Sequence, residues 1–541
     1  MIHIIGGGLA GSEAAWQAAE LGVAVTIHEM RPVRPTAVHK TDGLAELVCS
    51  NSFRGDKLDN AVGLLKAEMR RLGSLVMQAA DVARVPAGAA LAVDRVVFSE
   101  RVTEMLSGHP LITISREEVS AIPEPGLGPV IIATGPLTSD ALSASIREFV
   151  GSDHLAFYDA ISPIVLADTI DTRKVFRASR WNRSLRAPEA RAPGAQGARA
   201  PGAQGAQGAQ GAQGALGALG ALGAPGAQGA LGAPGAQGAA GAEAAGADVA
   251  CGVDDGQGDY LNCPLTKDEY QAFYHAIITA ESATVHDFDN TKFFEGCLPI
   301  EVMAHRGPDT LRFGPMKPVG LTDPRTGRFP YAVVQLRQDT LAGDHFSLVG
   351  FQTQLKWAEQ ARILRMIPGL EQAEFVRFGM VHRNTFINGP TVLCETWQTR
   401  RRPDLFFAGQ VSGVEGYVES AASGLLAGRN AAALVQKRLP STPPRTTAIG
   451  ALAFYASHAE PKTYQPSNIT HGIMAPLDNP PKDKARKKAL IAERALSDLE
   501  AWLSDSQRTR TAKKTREPID QSQRDVDSVY PVAAVDRSLV E

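Results

Sequence analysis

Two features of this sequence could carry chemistry: a glycine-rich turn near the first residue and a small set of cysteines. The turn is GGGLAG at 6–11, between the strand-like run Ile2–Ile5 and an alanine-rich stretch typical of a helix. Its GxGxxG spacing predicts a dinucleotide site, because Gly6 permits a tight turn, Gly8 lets the backbone approach a pyrophosphate, and Gly11 lets strand and helix pack closely. The pyrophosphate would meet the helix N-terminus, where unpaired N–H groups favour anions.

An acidic residue and two later glycine turns extend this prediction. Glu29 ends the next strand-like run and can accept hydrogen bonds from an adenosine ribose. The turns at 134–135 and 409–410 follow further apolar runs, and with the early GxGxxG they resemble the split FAD domain of two-dinucleotide flavoproteins. We therefore expect FAD rather than a structural turn without a cofactor, and because no second GxGxxG is visible, NADH or NADPH would dock transiently. The candidate cofactor-binding residues are Gly6, Gly7, Gly8, Leu9, Ala10, Gly11, Glu29, Arg31, Thr134, Gly135, Gly409 and Gln410.

The cysteines are few and widely spaced: Cys49, Cys251, Cys263, Cys297 and Cys394. They form no CxxC pair of the kind found in zinc or dithiol sites, so we expect reduced thiols and no metal site. Taken alone, a cysteine is more often a small buried hydrophobe than a nucleophile. A catalytic role therefore needs support from the surrounding sequence.

The overall composition limits the class of protein. Hydrophobic residues make up 44% and charged residues 21% of the 541 residues. No run of about 18 apolar residues could span a bilayer, and the chain opens on a strand-like segment rather than a secretory signal, so we expect the cytoplasm. The net charge of −3 means that a nucleic-acid surface would need local clusters of Lys and Arg.

The order of the segments predicts an α/β fold, with a Rossmann-like FAD-binding domain split by an α+β insertion domain. Between 186 and 248 the composition collapses to Ala, Gly, Gln, Leu and Pro, which offers too little apolar surface to fold, so we expect a disordered Gly/Ala-rich insert. The predicted ranges are 1–165 and 375–440 for the two parts of the FAD-binding domain, 166–374 for the insertion domain, 441–503 for a C-terminal helical segment and 504–541 for a polar, disordered C-terminal extension.

Six longer segments resemble the TrmFO family of folate- and FAD-dependent tRNA methyltransferases. They are AELVCSNSFR at 45–54, YLNCPLTK at 260–267, FEGCLPIE at 294–301, LRFGPMKP at 311–318, HRNT at 382–385 and GQVSGVEGY at 409–417. The resemblance covers residues 1–185 and 250–475, in the order of the family's motifs. The Gly/Ala-rich insert and the C-terminal extension have no counterpart that we would expect in the family.

The resemblance implies methylation of carbon 5 of the T-loop uridine of tRNA. Methylenetetrahydrofolate would supply the one-carbon unit, reduced FAD the reducing equivalents, and NADH or NADPH would recharge the flavin. The family's two important cysteines match Cys49 and Cys263. One thiolate would add to carbon 6 of uracil and activate carbon 5, and the second thiol would act as general acid or base. We favour Cys49 slightly as the attacking thiol, with Arg54 and Lys267 as candidate sources of positive field.

RNA contacts are expected from the predicted insertion domain. Its Arg and Lys side chains could hold phosphates, and nearby aromatic rings could stack on an unpaired base of the tRNA T arm. The cations are Arg306, Arg312, Lys317 and Arg337, and the aromatic residues are Phe313, Phe329 and Tyr331. The basic runs at 482–488 and 508–516 could add electrostatic affinity, although solubility is the simpler explanation.

Other functions remain open at this point. A related flavoprotein that modifies the wobble uridine of tRNA shares FAD, folate and a similar N-terminus, but the LVCSNS and LNCP segments favour the T-loop methylase. The same methylation could act on ribosomal RNA. A non-catalytic RNA-binding flavoprotein would tolerate alanine at both Cys49 and Cys263, and a plain NAD(P)H oxidase would ignore folate and RNA. The sequence does not indicate an oligomeric state.

Overall fold

The computed structural model describes residues 1–36, 38–151, 155–182, 258–282 and 298–514. The predicted insert at 186–248 lies outside these ranges, as do Cys251, Cys297 and residues 515–541.

The strands supply the framework of the site. In chain order they are β1 (Ile2–Ile5), β2 (Val25–His28), β3 (Ser52–Gly55), β4 (Arg84–Val85), β5 (Ala90–Val93), β6 (Ile112–Ser115), β7 (Val130–Ile132), β8 (Leu155–Ala160), β9 (Ile164–Leu166), β10 (Phe176–Ala178), β11 (Tyr260–Leu265), β12 (Ala332–Gln338), β13 (His345–Leu348), β14 (Phe375–Arg377), β15 (Val381–Phe386) and β16 (Leu405–Phe407).

The helices cover these strands. In chain order they are α1 (Leu9–Glu20), α2 (Ala61–Arg71), α3 (Leu75–Val82), α4 (Arg95–Ser107), α5 (Asp140–Val150), α6 (Lys267–Ile278), α7 (Ile300–His305), α8 (Thr310–Phe313), α9 (Trp357–Leu364), α10 (Gly389–Val392), α11 (Tyr417–Val435), α12 (Ala448–His458) and α13 (Lys484–Lys514).

The first sheet is parallel, with the strand order β16-β7-β1-β2-β6. Its central strands β1 and β7 are short apolar runs that are almost entirely buried, as expected of a parallel sheet with both faces covered. β16 is far from β7 in sequence, yet the two strands pair in register beside β1. The Rossmann-like sheet is therefore assembled from two distant parts of the chain, and the predicted split α/β fold is confirmed.

Helices α1 and α11 pack unusually closely beside this sheet. Both are rich in alanine and glycine. A Cβ atom at Gly424 would lie 2.1 Å from the Ala10 carbonyl oxygen, and one at Gly428 would lie 2.3 Å from the carbonyl oxygen of Ala14. Glycine thus lets the two backbones touch, which fixes the turn before α11 against the glycine turn before α1.

The second sheet is antiparallel, with the order β10-β11-β12-β13-β9-β14. Its apolar side chains share a core with helices α6, α7 and α9 through Phe273, Ile300 and Ile363. In sequence this sheet lies between β7 and β16, and the antiparallel pair β8 and β15 precedes its first strand and follows its last. The sheet runs from Ile164 to Arg377, slightly beyond the predicted range 166–374.

The C-terminal helices pack against the parallel-sheet part of the molecule. The backbone N–H groups of Ala448 and Ile449, at the start of α12, donate to the buried Glu68 carboxylate at 2.7 and 2.8 Å. α13 continues to Lys514, so the prediction of disorder from 504 was wrong for 504–514. This stretch contains neither glycine nor proline, and it therefore extends the helix. In the described part of the chain, no helix is long and apolar enough to cross a membrane.

We expect Gly424→Ala to lower the free energy of unfolding by about 1–3 kcal/mol, because the added methyl group meets a backbone oxygen of α1. Gly472→Ala is the matched control, since the nearest atom to its Cβ would be 3.5 Å away, and it should change stability by less than about 0.5 kcal/mol. Denaturant unfolding of both variants measures the difference. Equal stability of the two variants would contradict this account of the helix packing.

Candidate active site

A cleft opens at the carboxyl ends of β1, β2, β7 and β16. In open parallel sheets, ligands bind at this edge because the turns after the strands gather there. All the cofactor-binding residues predicted from the sequence, except Gly11, line the cleft: Gly6, Gly7, Gly8, Leu9, Ala10, Glu29, Arg31, Thr134, Gly135, Gly409 and Gln410. The structure therefore brings together turns from three separate parts of the sequence.

The glycine turn forms a cradle at the base of the cleft. Gly6 has a φ of 105°, and a Cβ there would lie 2.6 Å from the Ala133 carbonyl oxygen. A Cβ at Gly11 would lie 1.9 Å from the Gly6 carbonyl oxygen, so Gly11 serves strand–helix packing. A Cβ at Gly8 would meet no protein atom within 4 Å, although Gly8 lines the cleft. The open space beside Gly8 adjoins the N-terminus of α1, where unpaired N–H groups favour an anion such as a diphosphate.

Glu29 and Arg31 form the adjoining wall. The Glu29 carboxylate accepts hydrogen bonds from Gly7 N at 2.9 Å and from Arg31 N and Nε at 3.0 and 2.9 Å. Burial alone would raise the pKa of Glu29, but the hydrogen bonds and charge of Arg31 lower it below its ordinary value. Arg31 also donates to Glu46 and to the carbonyl oxygens of Thr41 and Gly43. Arg31 therefore holds Glu29 ionised and ties the 41–46 loop to the cleft.

The opposite wall consists of the turns after β7 and β16. Gly409 N donates to Ser423 Oγ at 2.7 Å, and Gln410 Nε2 donates to Glu415 Oε2 at 2.7 Å. The hydroxyls of Thr134 and Thr138 lie 2.6 Å apart. These contacts anchor each turn from within its own segment.

The loop that carries Cys49 adjoins this cleft. Val48, the residue before Cys49, lines it, as does Tyr417 at the start of α11. The Tyr417 hydroxyl accepts hydrogen bonds from Cys49 N at 2.8 Å and Ser50 N at 3.1 Å. Burial raises the pKa of Tyr417, so its phenol stays protonated. Cys49 is half-buried and not part of a disulfide.

Three arginines hold the other side of this loop. Arg95 Nη1 donates to the Leu47 carbonyl oxygen at 2.9 Å. Arg377, from β14, donates to the carbonyl oxygens of Val48 and Cys49 at 3.0 and 3.2 Å. Arg337, from β12, donates to Ser50 Oγ at 2.9 Å and Asn51 Oδ1 at 2.7 Å. The Cys49 loop is thus clamped between the parallel sheet and the antiparallel sheet.

Cys263 lies elsewhere. It belongs to β11, pairs with Val334 of β12, and has no exposed surface. Its side chain belongs to the apolar core that contains Phe273 and Leu336. Burial raises the pKa of this thiol, with a further contribution from Glu371. In this structure Cys263 does not line the cleft, so the two predicted catalytic cysteines are not brought together.

Several residues in the neighbourhood have contacts that the sequence analysis did not predict. Arg54 pairs with the buried Glu419 and donates to Asn468, so its charge is neutralised away from Cys49. Arg337, predicted to contact RNA, is buried and supports the Cys49 loop instead. No sequence pattern singles out Arg377, because it is far from Cys49 along the chain. Within the described ranges, no group of three or more His, Cys, Asp or Glu side chains could hold a metal ion.

Comparison with known proteins connects this geometry to a family. The model of the family "Glucose inhibited division protein A" matches residues 1–190 and 238–439. The methylenetetrahydrofolate--tRNA-(uracil-5-)-methyltransferase TrmFO of Symbiobacterium thermophilum is 51% identical over 505 residues, which cover 93% of this chain and 96% of the relative. The protein of the same name from Enterococcus faecalis is 49% identical, over 93% of this chain and 99% of its own. The chain belongs to the TrmFO family.

A solved structure extends the comparison to the fold. Aquifex aeolicus GidA superposes with a TM-score of 0.57 at 16% sequence identity, over 95% of this chain and 77% of that chain. At this identity the likeness concerns the fold alone. It places the TrmFO-family sheet architecture described above among known GidA-like structures.

Gly8→Ala should separate cofactor binding from folding in this TrmFO-family protein. The backbone of Gly8 is in an ordinary extended conformation, and the added methyl group would project into the cleft without touching protein. We expect unchanged unfolding of the apoprotein but at least about tenfold weaker FAD binding, which corresponds to about 1.4 kcal/mol. Flavin absorbance after gel filtration measures the bound FAD. Undiminished FAD binding would remove Gly8 from the proposed diphosphate site.

Proposed function

We propose that this chain is a methylenetetrahydrofolate- and FAD-dependent methyltransferase that acts on carbon 5 of uridine in tRNA, with the T-loop uridine as its target. Relatives named for tRNA uracil-5 methylation match 93% of the chain at 51% and 49% identity. The observation that carries the proposal is the position of Cys49. The preceding residue, Val48, lines the nucleotide cleft, and Tyr417, which also lines it, accepts a hydrogen bond from Cys49 N. A thiol beside a flavin site is what this chemistry requires.

FAD fits the cleft through three features of this chain. The diphosphate would lie in the cradle beside Gly8, the adenosine ribose against Glu29, and the rest of the cofactor along the turns at 134–135 and 409–410. When bound, FAD supplies the electrons that convert the transferred one-carbon unit to a methyl group. NADH or NADPH would reduce the flavin, and methylenetetrahydrofolate would provide the carbon.

The chain's own contribution to the chemistry is thiol catalysis. A thiolate that adds to carbon 6 of uracil turns the ring into an enolate, whose carbon 5 attacks the one-carbon unit. Removal of the carbon-5 proton then expels the thiolate from carbon 6 and restores the ring. Cys49 is half-buried at the cleft and suits one of these two steps. Cys263 is enclosed in the core of the antiparallel sheet, so the step assigned to it requires β11 to move.

The proposed tRNA surface lies on the antiparallel-sheet part, around α8 and the loop before β12. Phe313 and Phe329 are 76% and 64% exposed, which is unusual for apolar rings. The Arg312 guanidinium lies 3.7 Å from the centre of the Tyr331 ring. Exposed rings beside a cation suit unpaired bases and phosphates, as in the T arm of tRNA. With tRNA as the substrate, we propose the cytoplasm as the site of the activity.

Cys49→Ala should abolish 5-methyluridine formation in a reaction of the purified protein with FAD, NADPH, methylenetetrahydrofolate and an unmodified tRNA transcript. Nucleoside mass spectrometry measures the product, and nuclease mapping locates it in the T loop. Cys263→Ala should also abolish the product. Cys394→Ala is the matched control, because Cys394 is half-buried away from the cleft residues, and it should leave the rate unchanged.

The remaining outcomes of this experiment separate the rival functions. Product at a wobble uridine, or only with ribosomal RNA as substrate, would replace the T-loop target. FAD reduction without any methylated nucleoside would favour a non-catalytic RNA-binding flavoprotein or an NAD(P)H oxidase. Full activity in both Cys49→Ala and Cys263→Ala would rule out thiol catalysis by this pair.

A further inference from the structure

The charges around the Cys49 loop do not balance. Three guanidinium groups surround it, those of Arg95, Arg337 and Arg377. Asp339 pairs with Arg95 at 3.1 Å and is the carboxylate that interacts with all three. Among the described residues, no carboxylate forms an ion pair with Arg337 or Arg377. The surroundings of the loop therefore carry a net positive charge.

The partners of the two unpaired guanidinium groups are neutral. Arg337 is buried, and its hydrogen bonds go to the side-chain oxygens of Ser50, Asn51 and Ser347. Arg377 donates to two carbonyl oxygens of the loop, while its enclosed Nε has no hydrogen-bond partner in the described part of the chain. Burying a cation without an anion costs free energy. A negative charge beside these two guanidinium groups would therefore be stabilising.

The other groups that face Arg337 and Arg377 do not supply this charge. Tyr417 and Tyr260 are buried phenols whose pKa values are raised by burial, so both stay neutral. Burial, followed by repulsion from Arg95, lowers the pKa of Arg377 to about 10, and a charged Cys49 opposes this shift. The interaction is mutual: a Cys49 thiolate stabilises the charged guanidinium, and the guanidinium stabilises the thiolate to the same extent.

We propose that Arg377, supported by Arg337, holds Cys49 as a thiolate at neutral pH and so makes it the reactive thiol beside the cleft. Arg377 is a positioning residue in this role, because it donates its hydrogen bonds to the backbone of the loop. A thiolate is the form needed for both candidate steps, addition to carbon 6 or removal of the carbon-5 proton. The inference deepens the proposed function and rests on it for the identity of the reaction.

The same protein contains an internal contrast. Cys263 lies among apolar side chains in the core of the antiparallel sheet, where burial disfavours the thiolate. Of the sequence neighbours predicted to activate the cysteines, Arg54 pairs with Glu419 and donates to Asn468, and Lys267 lies at the start of α6. Activation of Cys49 thus depends on Arg337 of β12 and Arg377 of β14, two strands of the antiparallel sheet.

The experiment measures the alkylation rate of Cys49 against pH in the full-length FAD-bound protein. Iodoacetamide reacts with the thiolate, and peptide mass spectrometry resolves Cys49 from the other cysteines. The pH is varied between about 5 and 10, which brackets the ordinary thiol pKa of about 8.5. We expect the midpoint for the native protein below about 7.5, and Arg377→Gln to raise it by at least about one pH unit.

Two further variants separate charge from structure. Arg377→Lys keeps the charge but not the forked donor geometry, so its midpoint should stay close to the native one. Arg365→Gln is the matched control, because the exposed Arg365 donates to the Ala373 carbonyl oxygen rather than to the Cys49 loop, and its midpoint should be unchanged. Each variant is first checked for FAD content and thermal unfolding.

A native midpoint near that of an ordinary thiol, or an unchanged midpoint in a folded Arg377→Gln protein, would overturn the proposal. If Arg377→Gln does not fold, Arg377→Lys decides the outcome. A raised midpoint in Arg377→Lys would overturn the proposal, because this variant keeps the positive charge that the proposal holds responsible for the thiolate. Alkylation requires neither folate nor RNA. A lowered midpoint with no methylation activity would therefore refute the proposed function and leave this inference standing.

Discussion

The pairing of β16 with β7 is the constraint on which the rest of the site depends. Because these strands come from distant parts of the chain, their pairing sets the turn at 409–410 and the start of α11 beside the first glycine turn. Gly424 and Gly428 then lock α11 onto α1 at backbone contact distance. Without this closure Tyr417 would not reach Cys49 N, and the cleft would lose one wall.

The closure also determines where the antiparallel sheet must lie. The chain leaves the parallel sheet after β7 and returns before β16, so the sheet formed in between is tied to the first at both ends. The Cys49 loop is one of the contacts between the two parts, and it is held by Arg337 and Arg377 from one side and by Arg95 and Tyr417 from the other. Burying guanidinium groups costs several kcal/mol each unless their donors are satisfied, and the loop oxygens satisfy most of them. The same hydrogen bonds therefore serve interdomain stability and the electrostatics of the thiol.

The features of the fold and site that depend on neighbouring residues were predictable from the sequence, whereas contacts between distant segments were not. The GxGxxG turn, Glu29 and the later glycine turns were identifiable because each depends on its own few residues, and the parallel sheet follows from short apolar runs before those turns. The clamp on Cys49 was not identifiable, since Arg377 reaches it only through the packing of one sheet against the other. Arg54 illustrates the limit of sequence proximity: it is close to Cys49 along the chain, but Glu419 neutralises it. The helix at 504–514 was missed because polarity alone does not distinguish an exposed helix from a disordered tail.

The two cysteines that the family resemblance treats as a pair occupy opposite environments, and this limits any mechanism. Cys49 lies in an irregular loop beside the cleft, whereas Cys263 lies in a strand that is paired with β12 along its whole length. β11 also leads directly into the capping box of α6, where Thr266 and Glu269 fix the start of the helix. Exposing Cys263 would break ladder hydrogen bonds and remove its thiol from an apolar core, so it requires a second conformation of considerable cost. The binding energy of a large substrate such as tRNA is a physical source for that cost, since a ligand that favours the open state shifts the equilibrium by its differential affinity. On this argument Cys49 is prepared before the substrate arrives, and Cys263 becomes available only with it.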